Sequence, residues 1–288
     1  MSTDHLLHES AATLAGALSG TQRLYLLADA SGLPRISSLW PRIGALRWAS
    51  VLGTEQAQPD GASPLLVDVS EANTSPEQRR MLHALYDRGR YANCFSLLCS
   101  DLTLSDLVQA LRQRTQAELP DRMSVLLRYF DTRTLPLLPR LLTVAQYASF
   151  MTCVRAWHFI DRHGQVQTLQ APLAVTALAE FSAPMVFDVA QQRLLIDDGN
   201  TDAVIDQLIE QRHPALFNST PPQQFELVSP LVQAAAALGI TDFHDVLRYC
   251  CTALSQGEGF EQRAPWAERL ALHRRGAMTL QDALDDDA

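Results

Sequence analysis

Short apolar runs separated by amphipathic segments dominate the first half of the chain. Four mainly apolar runs without strict alternation are bounded by turn residues and lie at residues 24–28, 65–69, 94–99 and 125–130. Because these runs lack the alternation of half-exposed strands, they predict strands covered on both faces, as in α/β layer proteins. Two further runs, 157–160 and 166–169, are joined by the turn residues 161–164 and predict a β-hairpin.

Capping residues mark the helix starts in the same half. The predicted N-caps are Ser75, Thr103 and Thr143. A glutamine stands three residues after Ser75 and after Thr143, which is typical of a capping box. After Thr103, apolar residues follow at the i, i+3, i+4 and i+7 spacing of one helix face. The first half is therefore predicted to be an α/β lobe in which helices flank a mixed sheet.

Helical periodicity replaces the strand signals beyond about residue 170. One helix is expected to begin at Asn200 or Thr201, and a longer one to be capped by Thr241. We therefore predict two domains, an α/β domain over residues 1–170 and an all-α lobe over residues 171–288.

A turn-rich loop interrupts the helical half between Pro214 and Pro222. Phe217 lies at its centre. A segment rich in turn residues can hold an aromatic ring at the surface, so Phe217 is a candidate contact for a protein partner. Packing of the same ring into the core is the alternative.

Negative charge is concentrated in the second part of the chain, and the formal net charge is -9. Residues 1–164 contain 16 arginines and 15 acidic residues, whereas residues 165–288 contain 7 arginines and 17 acidic residues. So acidic a surface disfavours nucleic acid and anionic membrane as partners and suits a basic protein surface. Solvated helix faces and an acidic tail are the simpler explanation.

The residues of common enzyme motifs are missing from the sequence. All 23 basic residues are arginine, which removes the Schiff-base, P-loop and kinase lysines. No GxSxG, GxGxxG, GxxxxGK[ST] or HExxH motif occurs. We therefore expect no catalytic activity and no cofactor. Since triads need not be local in sequence, a hydrolase-like α/β enzyme using Arg128, Tyr129 and Asp131 remains the alternative.

Cysteine and histidine placement predicts no metal site. The five cysteines are odd in number and include the adjacent pair Cys250 and Cys251, so reduced, buried thiols are expected. His158 and His163 flank Asp161, but the predicted hairpin puts one on a strand and the other in the turn.

With no signal-peptide pattern and no run of 18 apolar residues, a soluble cytosolic protein without membrane contact is expected.

One segment, residues 123–135, combines a strand with aromatic and charged residues. The strand ends in an arginine and two aromatic residues, Arg128, Tyr129 and Phe130. The chain then turns at Asp131, whose carboxylate can cap the next helix and pair with Arg128 or Arg133. The pattern predicts a strand-to-helix corner in which Arg128 and Asp131 are largely buried and paired with each other or with near neighbours.

This segment resembles the signature of the type VI secretion effector adaptors, also called effector chaperones. Residues 24–30 and 65–70 look like the first two strands of that family, and the helix of residues 102–119 and Trp157 follow in the expected order. The resemblance covers about residues 22–165.

Two local departures separate the chain from the family pattern. Thr132 stands where the family usually has proline, and residues 150–153 replace a Phe-Gly-Pro-like turn. Both concern turn geometry rather than the fold.

The resemblance implies an adaptor that holds one toxic effector in the cytosol and delivers it to a VgrG-type spike. It implies neither an enzyme nor a secreted toxin, although a toxin is the second alternative. The signature residues are expected to be structural, and they are Arg128, Tyr129, Phe130, Asp131 and Arg133. Because the helical half matches the family only in general character, we expect it to select the cargo and the α/β lobe to be the common scaffold.

Overall fold

An antiparallel sheet of six strands organises the first half of the chain. The structure, a computed structural model, describes residues 6–33, 43–53, 63–89, 93–172, 180–257 and 259–284. Its strands are β1 (Arg23–Ala28), β2 (Trp48–Ser50), β3 (Leu65–Asp68), β4 (Phe95–Ser100), β5 (Gln116–Glu118), β6 (Ser124–Leu126), β7 (Ala156–Ile160), β8 (Val166–Gln170) and β9 (Met185–Val186). The order across the large sheet is β2-β3-β1-β4-β7-β8, and every neighbouring pair is antiparallel.

A second, three-stranded sheet has the order β6-β5-β9. Its central strand pairs antiparallel with β6 and parallel with β9, so mixed pairing is confined to this small sheet. The predicted fold class, an α/β lobe followed by a helical lobe, is confirmed, but the large sheet is antiparallel rather than mixed as predicted.

Ten α-helices lie in the described part of the chain. They are α1 (Leu6–Ala17), α2 (Pro76–Gly89), α3 (Leu104–Arg114), α4 (Leu138–Leu141), α5 (Val144–Phe150), α6 (Val189–Glu210), α7 (Pro221–Ala237), α8 (Phe243–Gln256), α9 (Trp266–Arg274) and α10 (Leu280–Leu284). Only the first five precede the last strand, so the second half is mainly helical.

Both faces of strand β1 are covered, as its uninterrupted apolar run predicts. Leu24 and Leu26 join an apolar cluster with residues of α1 and α2 on one face. Tyr25 and Leu27 point to the opposite face and are also fully buried. There the Tyr25 hydroxyl donates to the Leu102 carbonyl at 2.8 Å, just before α3. This double coverage explains why the run shows no polar alternation.

The predicted caps and hairpin are observed. Thr143 forms a complete capping box with Gln146, and the Thr103 hydroxyl accepts from the Asp106 N–H. The Ser75 hydroxyl accepts from the Gln78 N–H, but the Gln78 side chain accepts from the Glu71 N–H, so this box is only half formed. Strands β7 and β8 pair in the predicted hairpin.

The fourth apolar run does not form the strand that its composition predicts. Only Ser124–Leu126 is a strand, and it belongs to the small sheet. After it the chain turns, and the Asp131 N–H donates to the Arg128 carbonyl at 3.0 Å. The aromatic residues between them are buried outside either sheet, because they pack against side chains rather than pairing as a strand.

Two predicted helix starts in the second half are wrong. Helix α6 begins at Val189 rather than near residue 200, because Asp188 accepts from the Gln191 N–H at 2.8 Å and caps it. Helix α8 is capped by Asp242, one residue after the predicted Thr241, through the N–H groups of the first turn. Strand β9 also lies beyond residue 170, where no strand was expected.

By compactness the chain divides into two units, Met1–Leu194 and Leu195–Ala288. The functional domains 1–170 and 171–288 stay predictions. The second unit has its own apolar core, which includes Val204, Val228 and Val246 from three different helices. Within the described residues, no helix is both long enough and apolar enough to cross a bilayer.

Candidate partner-binding surface

Arg128 joins the signature segment to the end of strand β1. Its Nη2 donates to Asp29 Oδ2 at 2.8 Å and to Ser31 Oγ at 3.1 Å. The Asp29 side chain is buried, whereas that of Arg128 is 50% exposed. The predicted burial of Arg128 and its pairing with a near neighbour are therefore wrong. Its partner lies 99 residues earlier in the chain, a distance that no local pattern can reveal.

Asp131 pairs with Arg133, one of its two predicted partners. The carboxylate accepts from the Arg133 N–H and from its Nε and Nη2, the last at 2.7 Å. The next backbone N–H, that of Thr132, donates to the Asn93 carbonyl at 2.9 Å. Proline, the residue usual at this position in the adaptor signature that the segment resembles, has no N–H and could not make this bond. The departure at Thr132 thus adds a contact between the corner and Asn93, two residues before β4.

Tyr129 is a core residue rather than a surface group. Its side chain is fully buried, and its hydroxyl donates to the Leu111 carbonyl of α3 at 2.7 Å. The ring makes edge contacts with three aromatic neighbours, Phe130, Phe150 and Trp157, at centroid distances of 5.4–5.7 Å. Burial raises the pKa of the Tyr129 hydroxyl well above its usual value, so the group stays protonated.

Arg114 is the buried charge that the sequence analysis missed. It is 2% exposed, and its guanidinium donates to the carbonyls of Ala110, Ser149 and Phe150 and to the Thr152 hydroxyl. Two of these carbonyls end α5, where the helix dipole favours a cation. Burial lowers the pKa of this guanidinium. The sequence did indicate this burial, because Arg114 stands three residues after Leu111 and therefore on the apolar face of α3.

The hydrolase-like alternative requires Arg128, Tyr129 and Asp131 to converge on one pocket. Instead, Arg128 binds Asp29, Tyr129 binds a helix carbonyl, and Asp131 binds Arg133. The three polar groups thus have separate partners and are not arranged around a common reacting atom.

The two hairpin histidines, His158 and His163, have local structural partners. Asp161 accepts from the N–H groups of His163 and Gln165 and so closes the hairpin turn, while His158 Nδ1 lies 2.9 Å from the Thr168 hydroxyl. Among the described residues, no group of three or more His, Cys, Asp or Glu side chains is placed to hold a metal ion.

Cys250 packs inside the helical unit, where burial raises the pKa of its thiol to about 12. Cys251 is only partly buried, so the predicted complete burial of both thiols holds for Cys250 alone.

Exposed apolar side chains surround the small sheet. On its outer face Leu126 lies opposite Gln116, and Val186 lies opposite Glu118. Leu126 is 50% exposed and Val186 is 57% exposed. We call the following residues the apolar surface: Met123, Leu126, Val144, Val186 and Val189. Met123 immediately precedes β6, and the other four belong to strands β6 and β9 or to the first turns of α5 and α6.

Hydrogen bonds hold the elements of the apolar surface together. Gln146 on α5 donates from Nε2 to the Val186 carbonyl at 3.0 Å. Gln191, which is buried, donates to the Leu141 carbonyl and to Gln146 Oε1. Because these bonds link α4, α5, β9 and α6, the apolar surface is preorganised, which lowers the entropic cost of binding a partner.

Phe217 lies at the surface of the second unit. Phe217 follows a 3₁₀ helix of one turn, Pro214–Leu216, and 63% of the phenylalanine is exposed. The ring therefore lies at the surface and is not packed into the core. Its role as a partner contact stays a prediction.

A cavity of about 340 Å³ also lies in the second unit. Its walls come from α7, α8, α9 and the 3₁₀ turn Phe260–Gln262, and they include Ala234, Ala237, Tyr249, Glu261 and Arg274. Burial, followed by the nearby Glu261 carboxylate, raises the pKa of Tyr249 to about 12. The cavity thus has apolar walls and a small number of polar groups.

Comparisons with curated proteins and with solved structures find no match. A family model does match residues 24–149, and it is described as Domain of unknown function (DUF4123). The matched segment begins in β1, includes β3, β4 and the whole signature corner, and ends within α5. The corner and part of the apolar surface therefore lie in the segment that the DUF4123 model matches.

Proposed function

We propose that this protein is an effector adaptor of a type VI secretion system. It binds one toxic effector in the cytosol and loads that effector onto a VgrG-type spike. The observation that carries the proposal is the match of residues 24–149 to the DUF4123 family, which is known as the type VI effector chaperone domain. The resemblance drawn from the signature segment leads to the same family.

The geometry of the corner supports a binding role. The polar signature groups make contacts within the protein, so they serve to hold the corner. What remains available to a partner is the preorganised apolar surface. Exposed apolar groups of this kind typically mark protein interaction sites.

No specific observation favours the enzyme alternative. The candidate catalytic residues have separate partners, and the cavity of the second unit contains none of them. Absence of activity stays part of the proposal.

The proposal is tested with the toxin and spike proteins encoded by the genes next to this one. We expect the purified protein to form a stable complex with each, detected by size-exclusion chromatography and biolayer interferometry. Val144→Asp, which places a charge at a fully solvated position of the apolar surface, should weaken at least one complex by about tenfold. Ile196→Asp, at an exposed position of the second unit, is the matched control and should leave the spike complex unchanged.

Binding to neither protein, combined with turnover of an ester or a nucleotide, would contradict the adaptor assignment. Toxicity of the protein itself when expressed in a periplasm would instead support the toxin alternative.

A further inference from the structure

Among the described strands, β6 pairs with β5 on one side only and so has a free edge. Its partner β5 bonds to the odd-numbered residues: the Leu127 N–H donates to the Thr115 carbonyl, and the Leu119 N–H donates to the Met123 carbonyl. Since main-chain groups alternate in direction along a strand, those of Ser124 and Leu126 point away from β5. In the described part of the chain, neither residue has a hydrogen-bond partner on that side. Four main-chain groups are therefore left for water or another chain.

The side chains beside this edge are exposed on both sides of the strand. Leu126 is half exposed on the outer face, and Met123, at the start of the strand, is 52% exposed. Proteins normally protect a free edge with charged side chains, with proline or by covering it. Here β6 is only three residues long, but it contains no charged residue and no proline, and Leu126 stays exposed beside the edge. An edge of this kind can accept an incoming strand.

Arginines flank the edge at both ends. Arg122 precedes the strand and Arg128 follows it, and both are exposed. Arg122 has no ion pair in the part of the chain that the structure describes, and Arg128 is half exposed beyond its contact with Asp29. A partner strand with acidic residues near its ends would therefore complement the edge.

The same charges disfavour a second copy of this chain. In the antiparallel register that uses all four free main-chain groups, Ser124 would pair with Leu126 of the other copy. Arg122 would then lie opposite Arg128, and like charges directly opposite each other destabilise a strand pair.

We propose that the spike protein adds an extended segment to the free edge of β6. This inference rests on the proposed function, and it names the mode of binding and the kind of segment bound. The segment has alternating apolar residues, which cover Leu126 on one side and Met123 on the other, and acidic residues near its ends. We assign it to the spike rather than to the effector because β6 lies within residues 24–149. On the proposed function, every adaptor of this kind binds a spike protein, whereas the effectors differ from one adaptor to the next. A segment matched by the family model is therefore expected to bind the spike.

The test substitutes Ser124, whose N–H takes no part in the ladder with β5. Ser124→Pro removes one of the free donors and obstructs an incoming strand, and edge strands tolerate proline at such positions. Ser124→Ala is the matched control. Against the spike protein encoded beside this gene, we expect Ser124→Pro to raise the Kd about tenfold or more and Ser124→Ala to change it less than about twofold. Binding of the neighbouring toxin should not change with either variant.

A second measurement uses the unaltered protein, so it does not depend on how the proline variant folds. Hydrogen exchange at the amides of Ser124 and Leu126 should be fast in the free protein and strongly slowed in the spike complex. Fast exchange in that complex, or equal spike affinity of the two variants, would overturn the inference while leaving the adaptor function in place. If these two amides become protected from exchange when the protein alone is concentrated, the occupant of the edge is a second copy of this chain. That result would also overturn the inference. If the unaltered protein binds neither spike nor toxin, the proposed function fails and the inference fails with it.

Discussion

The two units of this protein differ in how they bury polar groups. In the described residues, the first unit buries polar and charged side chains that include Asp29, Asp68 and Arg114, and the second unit buries only Thr201. Each of the three charged groups has specific partners in the first unit. The core of the second unit is almost wholly apolar, and its charges lie at the surface.

This difference indicates how each unit responds to sequence change. A buried polar network requires every partner in place, since an unpaired buried group costs much of its desolvation energy. An apolar core tolerates substitutions that conserve volume. A unit with fixed polar contacts suits a common scaffold, and a unit with a tolerant core and a variable surface suits the selection of different cargoes.

The largest effect is expected at Arg114. Arg114→Ala removes the cation that binds three carbonyls and a hydroxyl in the core, so the free energy of unfolding should fall by about 3 kcal/mol. Urea denaturation measures the change. Arg274→Ala, an exposed arginine of the second unit, is the control and should cost less than about 0.5 kcal/mol. Equal losses in both variants would erase the contrast between the units.

A smaller effect is expected at the signature corner. Arg128→Ala leaves the buried Asp29 carboxylate with only the bonds from Ser31. Because half of the Arg128 side chain is exposed, solvent screens the pair, and we expect a loss of about 1–2 kcal/mol. Arg128→Lys should recover part of it. If unfolding is unchanged but spike binding is abolished, Arg128 is a contact residue rather than a structural one.

Alkaline pH tests how much the buried thiol and phenol of the second unit contribute to its stability. Burial raises the pKa of the Cys250 thiol from 9.0 to about 12 and that of the Tyr249 hydroxyl from 10.0 to about 12. Both groups are neutral when protonated, so their contribution to stability is complete below the unfolded-state pKa values and is lost as the pH rises toward 12. We expect the melting temperature of Cys250→Ala to fall less between pH 9 and pH 11 than that of the unaltered protein. An equal fall in both proteins would show that Cys250 does not contribute.

The smallest effect on stability is expected at Phe217. Its ring is mostly exposed, so Phe217→Ala should change the free energy of unfolding by less than about 0.5 kcal/mol. If the second unit selects cargo, the same variant should weaken toxin binding by about tenfold and leave spike binding unchanged. Interferometry with both proteins separates the two effects. Weaker binding of the spike alone would reverse the assignment of the units.

Local patterns predicted most of the fold because their causes are local. The run of β1 and the capping box at Thr143 each depend on residues that are close in sequence. The pairing of Asp131 with Arg133 was predictable for the same reason. The bond of Arg128 to Asp29 and the buried contacts of Arg114 join segments far apart in the chain, and only the folded structure brings them together. The free edge of β6 was equally hidden, because it depends on which strands pair.

The central claim is that this protein joins an effector to a spike, and the most direct test mixes all three purified proteins. The neighbouring toxin and spike proteins are incubated with and without this protein, and the spike is then captured. The account predicts that the toxin is captured with the spike only when this protein is present, in a complex containing all three. Equal capture of the toxin without this protein, or no capture in either case, would contradict it.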